Sequence, residues 1–131
     1  MDILLTLHSL LRWVLVAVMA VTAIVLLLAW LRPSDSGMDR RLMTIFLGVL
    51  DTQVLLGVIL IVWMGATGGG FARHQIEHAI TMLVAVFLAH LSARWRKAEV
   101  AVRARNNFFV LLGVLVLIVL GVNVLPQGWT G

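Results

Sequence analysis

Four long apolar runs divide the chain, and they decide what it can fold into. They cover Leu4–Leu31, Leu42–Met64, Ile76–Leu91 and Phe108–Leu125. At about 1.5 Å per residue, each run and its flanking residues are long enough to cross a hydrocarbon layer of about 30 Å. Because no water satisfies backbone groups there, each run should be helical, and the alternating pattern of barrel strands is absent. We therefore predict an all-α, integral membrane, up-and-down four-helix bundle.

The whole chain, residues 1–131, is predicted to form a single transmembrane domain. We expect its helices at about residues 3–31, 41–64, 73–96 and 107–125, with Pro33 preventing the first helix from continuing. Hydrophobic residues make up 62% of the sequence and charged residues only 12%, which is outside the usual range of soluble domains. The chain has no cysteine, which excludes disulfides, iron–sulfur clusters and thiolate metal sites.

Most of the basic residues lie in the first and third connections between the apolar runs. They are Arg32, Arg40, Arg41, Arg94, Arg96, Lys97, Arg103 and Arg105. The positive-inside rule then places these connections in the cytoplasm and both termini outside. The net charge of +4 is therefore explained by membrane topology and by contact with anionic membrane lipids, and not by nucleic acid.

Three of the four histidines lie on the third apolar run and its start. His74 and His78 are four residues apart with Glu77 beside them, and this spacing places both imidazoles on one face of a helix, roughly 6 Å apart. On the first helix, His8 and Arg12 share a face for the same reason. Such groups are costly next to lipid, so they indicate a bound ion, a cofactor or a polar partner.

The histidine pattern is typical of a b-type haem held by two helices of a bundle. Counting from an inner boundary at Trp30 and Trp95 places His8 about 33 Å, His74 about 31 Å and His78 about 25 Å above it. A helix tilt of about 20° can offset a difference in depth of one helical turn. We choose His8 and His78 as the ligands because His78 is better buried, and we keep His74 as the competing ligand.

The remaining polar residues of the helices have expected roles of their own. Arg12 and Arg73, at the outer end, are expected to pair with haem propionates, and Glu77 to orient an imidazole or pair with one of these arginines. Asp51 should face the bundle interior or be protonated, since a charged carboxylate at mid-membrane costs about 2.5–3.5 kcal/mol. His90 is read as a packing residue, because no other helix has a histidine at its depth.

Three segments, LHSLLRWVLV, DTQVLLGVIL and IEHAITMLVAVFLAH, resemble small bacterial four-helix membrane proteins described as cytochrome b-like. The arrangement is more loosely similar to the cytochrome b561 and superoxide oxidase group. The resemblance implies a bacterial inner-membrane location, His8 and His78 as ligands, and a single outer haem. The chain departs from the b561 pattern because helices two and four carry no histidine, which argues against a two-haem route across the membrane.

These features predict one-electron transfer at the outer surface, with a membrane quinone or a partner redox protein. Two alternatives stay open. In the first, His8, His74, His78 and Glu77 bind a metal ion such as zinc, copper or iron without haem. In the second, the chain is a non-catalytic accessory subunit whose glycine-bearing helices pack in an oligomer or a larger complex.

Overall fold

The computed structural model describes residues 2–34, 36–68 and 70–130, and the first and last residues of the predicted domain lie outside these ranges. Four helices follow each other along the chain: α1 (Asp2–Leu31), α2 (Met38–Thr67), α3 (Arg73–His90) and α4 (Val100–Asn123). Two short 3₁₀ helices, Leu91–Trp95 and Gly128–Thr130, follow α3 and α4. No strand occurs among the described residues, and the predicted all-α bundle is confirmed.

The observed helix boundaries follow from local sequence signals. α1 ends just before Pro33, as predicted. α2 starts after Gly37, whose positive φ of 72° favours glycine. The backbone N–H of Ala72 donates a hydrogen bond to the side chain of Gln75, which caps the start of α3. α4 begins at Val100, about two turns before the predicted residue 107, because helix-forming residues continue the helix through the charged connection.

The helices form a square in which α1 and α3 occupy opposite corners. α1 packs on α2 and α4, and α3 packs on the same two helices. The core between them is filled by large side chains that are fully buried, among them Leu26, Phe46, Leu50 and Leu111. Side chains on α1 and α3 can therefore approach each other only through the space enclosed by α2 and α4.

The outward faces of all four helices are apolar. Each helix is long and apolar enough to cross a membrane, and only 17–39% of each apolar window is buried inside the bundle. Leu10, Ile24 and Phe87 are 61%, 60% and 74% exposed. A soluble protein does not expose such a continuous apolar surface, so these faces fit a multi-pass membrane protein whose helices contact lipid.

A buried ion pair joins α2 to α4 at the end of the bundle opposite the termini. The guanidinium of Arg103 donates from Nε and Nη2 to the two carboxylate oxygens of Asp39, at 2.6 and 3.0 Å, and from Nη1 to the carbonyl of Ala98 at 3.0 Å. The two side chains are only 6% and 2% exposed. Because both oxygens of Asp39 are paired, its burial is tolerated.

We expect Arg103→Met to destabilise the bundle by about 3–5 kcal/mol, because Asp39 is then left buried without its cation. The matched control is Arg105→Met, since Arg105 is exposed and donates a hydrogen bond to its sequence neighbour Asn106, so its change should stay within about 0.5 kcal/mol. Denaturant titration in detergent micelles measures both free energies of unfolding. Equal effects of the two substitutions would contradict a structural role for the buried pair.

Candidate functional site

A cavity of about 310 Å³ lies inside the bundle, near the end that holds both termini and the α2–α3 connection. All four helices contribute to its wall. Its volume is at the lower end of the range of about 300–1,000 Å³ found for small-molecule and cofactor sites. The wall is mostly apolar, and its polar side chains are those of His8, Ser9, Arg12, Gln53, His74, Gln75, His78 and Gln127.

His8 enters the cavity from α1 and is held in place by α2. The side-chain amide of Gln53 donates a hydrogen bond of 2.8 Å to the backbone carbonyl of His8. One turn further along α2, Gly57 lies against the imidazole, and a Cβ at this position would come within 3.1 Å of Cε1 of His8. The ring therefore rests on a position that only glycine leaves open, and its Nδ1 is buried with no hydrogen-bond partner in the described chain.

His78 enters the same cavity from α3, the helix at the opposite corner. Its Nδ1 is 2.6 Å from the backbone carbonyl oxygen of Gly121 on α4. This carbonyl lies in the last turn of α4, where carbonyls lack intrahelical partners, and the N–H of Leu125 donates to Val122 instead. Because a carbonyl can only accept, Nδ1 carries the proton and Nε2 of a neutral His78 keeps its lone pair. His78 is thus prepared to act as a ligand through Nε2.

α3 and α4 lie close together at Gly121. A Cβ on Gly121 would lie 2.4 Å from the end of the flexible Met82 side chain and 3.3 Å from Cγ2 of Thr81. His8 on α1 and His78 on α3 both line this cavity. Two imidazoles from opposite corners of the bundle are thereby brought together in one cavity.

Arg12, one turn after His8, lies in the wall of the cavity beside two tryptophans whose ring centroids are 6.0 Å apart. Its guanidinium carbon is 5.2 Å from the ring centroid of Trp13 and 5.8 Å from that of Trp129, which is within the range of cation–π contacts. Its Nε is buried and has no hydrogen-bond partner in the part of the chain that is described. An unpaired buried guanidinium nitrogen is suited to an anionic ligand.

The other predicted residues at this end divide into two groups. His74 is half-buried and lines the cavity with His78, so the competing ligand is close to the site as well. Arg73 does not line it. Its side chain is 93% exposed and bonds to Glu77 at 2.8 Å, so Glu77 orients no imidazole in this arrangement.

Asp51 does not face the bundle interior, which was the first of the two alternatives expected from its depth. Its side chain is 45% exposed, and both of its oxygens accept from Nε2 of His90, at 2.9 and 3.0 Å. His90 thus has a hydrogen-bond partner, Asp51, on the neighbouring helix. The sequence did not predict this pair, because a partner for His90 was sought among metal-ligating side chains and not among carboxylates. On α2, Gln53 and not Asp51 lines the cavity.

No group of three or more histidine, aspartate and glutamate side chains in the described ranges could hold a metal ion. The cavity is lined by the imidazoles of His8, His74 and His78 and by Arg12. A bare metal ion needs a third or fourth protein ligand in most sites.

No protein-family model matches this chain, and neither the curated proteins nor the solved structures contain a match to it. The functional reading of the site consequently depends on its own geometry.

The hydrogen bond from His78 to Gly121 predicts the tautomer of His78. In protein labelled with ¹⁵N-histidine, we expect the NMR signals of His78 to show a protonated Nδ1 and an unprotonated Nε2. The control is Gln53→Leu, which leaves this hydrogen bond in place. In this variant the His78 signals should still show a protonated Nδ1 and an unprotonated Nε2. A protonated Nε2 on His78 would mean that Gly121 does not orient the ring as described.

Proposed function

We propose that this chain is a membrane b-type cytochrome that carries one haem b between His8 and His78. The observation that carries the proposal is that these two imidazoles, one from α1 and one from α3, line the same cavity, with Nε2 of His78 left as a lone-pair donor by its bond to Gly121. Low-spin haem b takes two neutral imidazoles from two helices of a bundle. The resemblance of the three sequence segments to cytochrome b-like proteins supports the same assignment.

The residues around the cavity fit the group. His8, Arg12 and Gln53 line a largely apolar cavity, and each has a buried polar atom without a partner among the described residues: Nδ1 of His8, Nε of Arg12 and Oε1 of Gln53. Buried polar atoms in a native protein usually have a partner, so a ligand with an acidic edge fits this site. Arg12 is assigned to the propionates because it is at the cavity wall. Arg73, which is bonded to Glu77 at the surface, has no part in this assignment.

The haem iron supplies one-electron chemistry when bound. The protein residues fix the conditions for it. Gln53 and Gly57 set the position of His8, Gly121 fixes the tautomer of His78, and the apolar wall excludes water, all of which tune the potential of such a centre. The electron is exchanged with a membrane quinone or with a partner redox protein at the surface.

His74 remains the competing ligand, since it lines the same cavity. We favour His78 because its second nitrogen is anchored by a backbone carbonyl, the arrangement common to ligating histidines. The alternative of a bare metal ion at His8, His74, His78 and Glu77 is less favoured, because Glu77 bonds to Arg73 outside the cavity.

We also propose that the protein lies in a bacterial inner membrane with both termini and the haem on the outer side. The support is the charge distribution. Arg40, Arg94, Arg96 and Lys97 are exposed at the end of the bundle away from the cavity, and the positive-inside rule places that end in the cytoplasm.

The ligand assignment predicts the effects of single substitutions on the haem spectrum. His8→Ala and His78→Ala should each abolish the low-spin signal of the purified protein, because each removes one axial nitrogen. His90→Ala is the matched control and should keep the signal, since His90 bonds to Asp51 on the outer face of the bundle. Optical and electron paramagnetic resonance spectra measure the result. A normal spectrum in the His78 variant, with loss in His74→Ala, would transfer the assignment to His74.

The orientation is testable with single cysteines, because the chain has none of its own. We expect Thr67→Cys, at the end of α2 near the cavity, to react with a membrane-impermeant maleimide in intact spheroplasts. Lys97→Cys, in the basic connection, should react only after lysis. Both positions are exposed, so the reverse pattern would contradict the proposed orientation.

A further inference from the structure

The hydrogen-bonded pair of Asp51 and His90 lies on the outside of the bundle. Its donor, Nε2 of His90, bonds to both carboxylate oxygens at 2.9 and 3.0 Å, and the two side chains are 45% and 49% exposed. Both residues belong to helices that are long and apolar enough to span the membrane. A half-exposed acid–imidazole pair next to lipid is costly. A polar ligand group that hydrogen-bonds to the pair would therefore stabilise it.

The surface around the pair is apolar and open. Phe87, one turn before His90, is 74% exposed. Gly48, one turn before Asp51 on the same face, has no atom within 4 Å of the place where a Cβ would be. Leu55, one turn after Asp51, is 60% exposed. A flat ring could therefore lie beside Gly48 and Phe87 with its polar edge at the pair.

α2 separates this surface from the cavity. Residues two apart on a helix point about 200° apart, so Asp51 faces outward while Gln53 faces the cavity. A molecule bound at the pair would be about one helix diameter, 10–12 Å, from the cavity.

We propose that Asp51 and His90 bind the ring headgroup of a lipid-soluble quinone or quinol. The inference rests on the proposed function, because it names the site at which the quinone partner docks. With Nε2–H bonded to the carboxylate, Nδ1 of neutral His90 accepts a hydrogen bond from a quinol hydroxyl. Nδ1–H of protonated His90 donates instead to a quinone carbonyl. One pair thus matches both forms of the ligand, and the apolar surroundings take its ring and tail.

The test uses the purified holoprotein in nanodiscs of phosphatidylcholine, with an azido-ubiquinone photolabel and decylubiquinone as competitor. We expect competable labelling of the α2 and α3 segments around Gly48 and Phe87. Asp51→Asn and His90→Phe should each weaken decylubiquinone competition at least about tenfold, which corresponds to the loss of a charge-assisted hydrogen bond. Glu77→Gln removes a carboxylate from another ion pair of α3 and should leave the competition unchanged.

A second variant keeps the proposal testable where removal of the pair impairs folding. Gly48→Leu leaves Asp51 and His90 intact and fills the open space beside them, so it should also reduce the labelling. The proposal is overturned if decylubiquinone competition is unchanged in Asp51→Asn, His90→Phe and Gly48→Leu, or if the label is found only in the cavity. If the unsubstituted protein can be crosslinked as a dimer, shows no quinone labelling, and loses the dimer in Asp51→Asn, then the pair forms a contact between two copies of the chain. That result would also overturn the proposal.

The same preparations separate this inference from the proposed function. Haem without competable labelling contradicts the quinone site alone. Competable labelling in a protein that carries no haem contradicts the cytochrome assignment alone, since the binding itself needs only Asp51, His90 and their apolar neighbours.

Discussion

The structure depends on one constraint: in a bilayer, a polar group that water cannot reach must find its partner within the protein or on a ligand. Among the described residues, three places at different depths illustrate this demand. Asp39 and Arg103 satisfy each other in the core, and Asp51 and His90 pair on the outer face. At the third place, the demand is met only in part. Nδ1 of His78 has the Gly121 carbonyl, while buried nitrogens of His8 and Arg12 have no partner among the described residues. The cavity that contains them is therefore the place where a ligand adds most to stability.

Much of the architecture could be predicted from the sequence, because length and apolar character leave few solutions in a membrane. The four spans, the end of α1 near Pro33 and the antiparallel order all follow from that argument. The start of α4 does not, since the stretch from Val100 to Asn106 is helical although it contains Arg103, Arg105 and Asn106. Hydropathy marks where lipid begins, whereas a helix continues beyond that boundary for as long as its residues and packing favour it.

For the site, the sequence predicted only which residues lie at about the same depth in the membrane. His8, Arg12, His74 and His78 do line one cavity, as expected from spacing and depth counted along helices. The partners that orient them come from other helices. Gln53 and Gly57 position His8, Gly121 bonds to His78, and Trp129 packs on Arg12 from the distant C-terminal segment. The placement of Gln53 inside and Asp51 outside depends on the rotation of α2 about its axis, which hydropathy leaves undetermined when both faces of a helix are apolar.

We propose that His8 and His78 ligate one haem between opposite corners of the bundle. Its most direct test is the haem content of the protein purified from membranes of haem-replete cells, measured as the pyridine haemochrome together with zinc, copper and iron analysis. We expect one haem b for each chain and sharp α and β bands on reduction. A colourless protein, whether free of metal or loaded with zinc or copper, would contradict it.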